Sequence, residues 1–188
     1  MGVVSRIRED VANARHRDPA ARSNAEVFWL YPGLHAVWAY RIAHKMWQRP
    51  ALRFLSRALS QASRATTGIE IHPGATIGDR LFIDHGMGVV IGETAELGND
   101  IMLYHGVTLG GRTSARVKRH PTLGDNITVG TGASILGPVV IGSGSVVAAQ
   151  AVVTRDAPPH TMLIGVPAVA KPISRDDPRE YDAGFFVI

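Results

Sequence analysis

Residues 83–111 read IDHGMGVVIGETAELGNDIMLYHGVTLGG, from Ile83 to Gly111. Within this stretch Ile91, Leu97, Leu103 and Leu109 recur six residues apart. The same beat runs back through Ile71, Ile77 and Ile83, and forward through Leu123, Val129, Ile135, Ile141, Val147 and Val153. The next residue is glycine at 78, 92, 98, 110, 124, 130 and 142, and the fourth residue on is small or apolar, as at Ala75, Ala95, Ile101, Val107 and Ala133. A period of six is the mark of a parallel β-helix, in which each hexapeptide forms one short side of a prism. The aliphatic residue points inward, and the glycine is expected to let the chain turn a tight corner. Three sides close a coil, so about four coils are expected after Gly68.

Two departures interrupt the beat. Two extra residues separate Ile83 from Ile91, placed here at Val89-Val90, just after Asp84-His85. A longer excess falls between Leu109 and Leu123, within GGRTSARVKRHPT, which carries Arg112, Arg116, Lys118, Arg119 and His120. A cation-rich loop on a rigid scaffold suits an anionic ligand. His85 is expected near a corner of the prism, with His105 in the equivalent place one coil on, about 4.8 Å away along the backbone. Glu70 lies close to one coil earlier. Its carboxylate would fix the imidazole tautomer and stabilise the ring once it takes up a proton.

The first 67 residues follow another rhythm. Amphipathic or helix-forming stretches are expected over 3–15, 25–31, 34–49 and 50–66, with Pro32-Gly33 as an interruption and Pro50 at a favourable first helical position. Trp29, Trp38 and Trp47 all fall here and read as packing residues. Residues 1–67 hold 11 Lys and Arg against 4 Asp and Glu, whereas the rest is net acidic. The arginines are scattered among Trp and Leu and no nucleic-acid motif accompanies them, so a solvated helix face or subunit contact is the reading preferred over a nucleic-acid surface. With no cysteine there is neither a disulfide framework nor thiolate metal ligation. The opening residues lack a secretory core and no apolar run is long enough to span a bilayer, so a cytoplasmic location is expected.

The motifs IHPGATIG, IDHGMGVVIGETAE, VTLGG, KRHP, ILGPVVIG and PPHTMLIGVPA, together with RDPAA and YPGLHAVWAYRIAHKMW, closely resemble serine O-acetyltransferases of the hexapeptide-repeat class. The resemblance covers about 160 residues. It implies an α+β chain: a helical region over 1–67, a left-handed parallel β-helix with one extended loop over 68–171, and a mobile tail over 172–188. It implies acetyl transfer from acetyl-CoA to the L-serine hydroxyl, the first committed step towards cysteine, with no metal. His85 matches the general base and Glu70 its carboxylate partner. Asp18 and Asp84 match residues that hold the amino acid, and Arg119 with His120 its carboxylate-side partners. Acetyl-CoA is expected between neighbouring β-helices of a homotrimer or dimer of trimers, near Gly110, Gly111, Thr131 and Ala149, with Lys171 as the remaining phosphate contact. The terminal FFVI, ending in Ile188, resembles a tail that docks O-acetylserine sulfhydrylase. Other readings on the same fold are a different O- or N-acyltransferase, a zinc-dependent hydratase using His85, His105 and a neighbour's His120, and an idle regulatory scaffold.

Overall fold

The computed structural model describes residues 2–172. Four α-helices come first: α1 (Val3–Arg17), α2 (Asn24–Leu30), α3 (Pro32–Trp47) and α4 (Arg53–Thr67), with a 3-10 turn at Pro50–Leu52 leading into α4. Pro32 does not merely interrupt the helical region. It opens α3 at the first helical position, where its missing N–H costs nothing. Gly33 behind it is obligatory, because a Cβ there would lie 2.2 Å from the Ile83 carbonyl oxygen. The start of α3 thus rests on the backbone just ahead of Asp84-His85.

The remainder forms three parallel sheets wound as one prism. The first face holds β1 (Glu70–Ile71), β4 (Val90–Ile91), β7 (Thr108–Gly110), β10 (Ser134–Leu136) and β13 (Val152–Val153). The second holds β2 (Thr76–Ile77), β5 (Glu96–Leu97), β8 (Thr122–Leu123) and β11 (Val140–Ile141). The third holds β3 (Phe82–Ile83), β6 (Met102–Leu103), β9 (Thr128–Val129), β12 (Val146–Val147), β14 (Thr161–Ile164) and an antiparallel final strand, β15 (Val169–Pro172). Twelve of the thirteen beat positions are buried in one continuous core, and Ile77 packs partly buried against it. A second, smaller cluster docks the helices: Phe82 and Met102 project outward from the third face onto Val11, Ala14, Val27 and Leu34.

Three expectations need correction. Ala157 bridges in parallel to Ile141, and β14 pairs with β12, so the prism has a fifth coil beyond the four that the six-residue beat predicts. Its second side is too short for the beat and runs into Pro158-Pro159, which hides it from a six-residue count. The glycines after each aliphatic residue do not make corners, since none of the seven has a positive φ. They are needed because the next coil comes too close: a Cβ on Gly92 would sit 2.0 Å from the His120 ring, and one on Gly142 would sit 2.3 Å from the Pro159 nitrogen.

The third correction moves the insertion. Asp84 N–H bonds Leu103 O just as Tyr104 N–H bonds Val129 O one coil later. On the far side of the corner, Gly106 N–H bonds Met87 O and Gly132 N–H bonds His105 O. Asp84 therefore aligns with Tyr104, and Met87 with His105. The two extra residues are His85-Gly86, not Val89-Val90. Both adopt left-handed backbone, at φ 58° and 81°, outside the column of left-handed residues formed by Gly88, Gly106, Gly132 and Gln150. A non-glycine residue holds such a conformation only where its surroundings impose it.

Candidate active site

The chain visits the faces in the order first, second, third, which gives the prism two edges of interest. Asp84, His85, Tyr104, His105, Thr131 and Ala149 lie where the third face turns into the first; this is the histidine edge. Gly92–Thr94, Gly110, Gly111, Arg119 and His120 lie where the first turns into the second, from which the 111–121 loop projects; this is the loop edge.

At the histidine edge, His85 is thrust out by the insertion, with 71% of its side chain exposed. Its Nε2 stands 3.7 Å from Asp84 Oδ2, beyond hydrogen-bond range. The His105 ring meets it edge-on at 5.7 Å between centroids. Glu70 does not make the expected contact. The bonds Glu70 N–H to Val89 O and Gly88 N–H to Gly68 O stack the His85 corner over the start of β1, but the Glu70 carboxylate turns to Arg64 at 3.1 Å.

Asp18 joins the same edge from the end of α1. Its Oδ1 accepts the Ala20 N–H at 2.8 Å, and its Oδ2 accepts the Tyr31 hydroxyl at 2.5 Å. Burial raises the Tyr31 hydroxyl well above the usual phenol range, and the hydrogen bond to Asp18 and the negative charges of Asp18, Glu26 and Asp84 push the same way. Tyr104 is likewise raised, by burial first and then by Asp84 and Asp18. Two aspartates 66 positions apart thus converge on two phenols that stay protonated. Two carboxylates that act on the same two phenols, one of them 3.7 Å from a protruding imidazole, suit a cationic ligand such as a primary ammonium.

The loop edge is built on Thr94. Its hydroxyl accepts the backbone N–H of both Arg119 and His120, at 3.0 and 3.1 Å. The Thr94 N–H and hydroxyl both lie against His120 Nδ1, at 3.1 and 2.9 Å. That makes Nδ1 an acceptor and leaves the proton of the neutral ring on Nε2, as a donor. His120 is buried in the space Gly92 leaves open. Burial, and then the adjacent Arg119 charge, hold its pKa below the ordinary imidazole value. The loop is less freely cationic than its composition implies: Arg119 pairs with Glu93 at 2.6 Å and Lys118 with Glu96 at 3.0 Å.

The residues expected at one site thus fall on two edges. Asp18, Asp84 and His85 come together, with Thr131 and Ala149 further along the same edge. Arg119, His120, Gly110 and Gly111 come together elsewhere. Lys171 lies exposed on β15, and Ile188 lies outside the described residues. The sequence pattern does not mark Tyr31 or Thr94; each acts through a hydrogen bond to a distant residue, which spacing does not reveal. Among the described residues no three His, Asp or Glu side chains gather as a metal site, and no helix is long and apolar enough to cross a membrane.

A family model described as bacterial transferase hexapeptide (six repeats) matches residues 120–155. Over 165 residues the chain is 53% identical to the serine acetyltransferase of Mycobacterium tuberculosis, spanning 88% of this chain and 72% of that one. Soybean serine acetyltransferase complexed with serine superposes at a TM-score of 0.85 and 41% identity, over 89% of this chain and 68% of that one. Serine acetyltransferase in complex with coenzyme A from Brucella abortus superposes at 0.86 and 33% identity, over 90% and 67%. These likenesses, with the coils and helices described above, define a hexapeptide-repeat acyltransferase on a left-handed parallel β-helix. The chain belongs to the serine acetyltransferase family.

Proposed function

We propose that this chain moves the acetyl group of acetyl-CoA onto the hydroxyl of L-serine, with His85 as the base. The observation that carries this reading is the convergence of Asp18 and Asp84 beside His85, a receptor for an α-ammonium set next to a proton acceptor. The imidazole takes the hydroxyl proton as the serine oxygen attacks the thioester carbonyl. The tetrahedral adduct then collapses with cleavage of the carbon–sulfur bond, and the departing thiolate receives the proton. The products are O-acetyl-L-serine and free coenzyme A. A base so placed is worth about 10²–10⁴ in rate.

Glu70 is the carboxylate proposed to steady the imidazolium. Its present partner Arg64 is itself 56% exposed, and such a surface pair is worth roughly 0–1 kcal/mol, so rotation from Arg64 towards His85 costs little. Arg119 and His120 are proposed to receive the serine carboxylate. They sit on the other edge, so the site is complete only where the histidine edge of one protomer faces the loop edge of the next. That arrangement favours a cyclic homotrimer and gives the pantetheine arm a groove between Gly110-Gly111 and Thr131-Ala149. Lys171 remains the proposed phosphate contact.

The test is thiol release from acetyl-CoA on addition of L-serine, run beside a galactoside acceptor. Release with serine alone is expected. Release with the galactoside and none with serine would overturn the reading.

A further inference from the structure

Tyr31 occupies a position that the proposed chemistry leaves unused. It is the last residue before α3, held in extended backbone at φ −93° and ψ 102°, with Pro32 fixing the helix start behind it. Gly33 presses that start onto the Ile83 carbonyl, one residue before Asp84. The ring packs against the small core that joins the helices to the third face. Its hydroxyl reaches Asp18 at the end of α1. One side chain therefore ties the acid delivered by the helical region to the strand that delivers the other acid.

The hydrogen bonding of Asp18 is apportioned in a way that matters for a ligand. Each oxygen has one fixed donor, the Ala20 N–H on Oδ1 and the Tyr31 hydroxyl on Oδ2. The carboxylate plane is thereby set, while each oxygen keeps acceptor capacity for an incoming N–H. Loss of the Tyr31 donor leaves Asp18 held through a single oxygen, on a chain segment that is only half-buried.

The geometry points to Tyr31 as a positioning residue for recognition of the substrate's α-ammonium group, acting through Asp18; this rests on the reading of the site as a serine acetyltransferase. Tyr31 contributes no proton to acetyl transfer. Its effect is confined to acceptor binding, and to acceptors that carry the amino group.

The experiment compares the wild type with Tyr31→Phe, which keeps the packed ring. The KM for L-serine is expected to rise about tenfold, the effect of losing one hydrogen bond to a charged group. The KM for acetyl-CoA and kcat at saturating serine stay unchanged. Weak turnover of 3-hydroxypropionate, which has no amino group, is the same in both proteins. In an Asp18→Ala background, which removes the acceptor, the Tyr31→Phe change has no further effect on the serine KM. An unchanged serine KM in Tyr31→Phe, an equal loss with 3-hydroxypropionate, or additive effects of the two substitutions would each overturn the assignment. Absence of serine turnover by the wild type would instead mark failure of the underlying reading.

Discussion

His85 and His120 stand on different edges of one prism, the first where the third face turns into the first and the second where the first turns into the second. His85 is thrust out on an inserted corner, whereas His120 is buried and locked to Thr94. A rigid β-helix cannot fold one edge onto the other within a chain. Cooperation between these residues in one reaction requires two chains.

This separation predicts complementation. The His85→Ala and His120→Ala proteins are each expected to lose most activity. Refolding or co-expressing the two together restores intact sites, about a quarter of the total for random assembly of a cyclic oligomer. Activity that stays at the single-variant level in verified mixed oligomers would show that each chain works alone.

The choice of Glu70 over Asp84 as the imidazole's partner is separable by kinetics. Glu70→Gln is expected to lower kcat roughly tenfold or more. Arg64→Gln frees Glu70 from its present ion pair and leaves kcat equal or higher. Asp84→Asn raises the serine KM instead. A silent Glu70→Gln beside a depressed kcat in Asp84→Asn would assign the imidazole to Asp84.

The helical region hangs on a buried ion pair. Asp10 is 2% exposed and accepts two bonds from Arg41, at 2.5 and 2.8 Å, and one from the Trp38 indole at 2.9 Å. Asp10→Ala strands the Arg41 charge and is expected to cost about 3–5 kcal/mol. Denaturant unfolding followed by tryptophan fluorescence measures this loss directly.

His72 predicts a pH dependence of stability. Its Nδ1 accepts the Gly74 N–H at 2.9 Å, and burial, assisted by the Arg57 charge, pushes its pKa down from 6.5 to about 4. The unfolded chain binds the proton near 6.5 and the folded chain does not. Stability is therefore complete above that pH, falls as pH drops through the window and levels off near 4, a loss of about 3 kcal/mol. His72→Asn keeps an acceptor for Gly74 but cannot take a proton. Its unfolding free energy, measured between pH 7 and 4, is expected to decline less than that of the wild type by this amount.

What the sequence by itself determined is the prism: which residues face inward, where the helices give way to coils, and that something breaks the beat near His85 and again after Leu109. Those features are periodic, and a period fixes direction because the inward residue must be apolar at every turn. The motif resemblance reached further, naming the acids and the histidines before their positions in space were known. Counting alone, however, detects an excess of two residues without locating it; the ladder hydrogen bonds and the φ angles assigned it to His85-Gly86. Only the tertiary structure decided which residues share an edge, that Asp18 meets Tyr31, that Thr94 holds His120, and that Glu70 rests on Arg64. These pairings depend on how the helices dock against the third face and how far each loop reaches, and neither quantity is periodic in the chain.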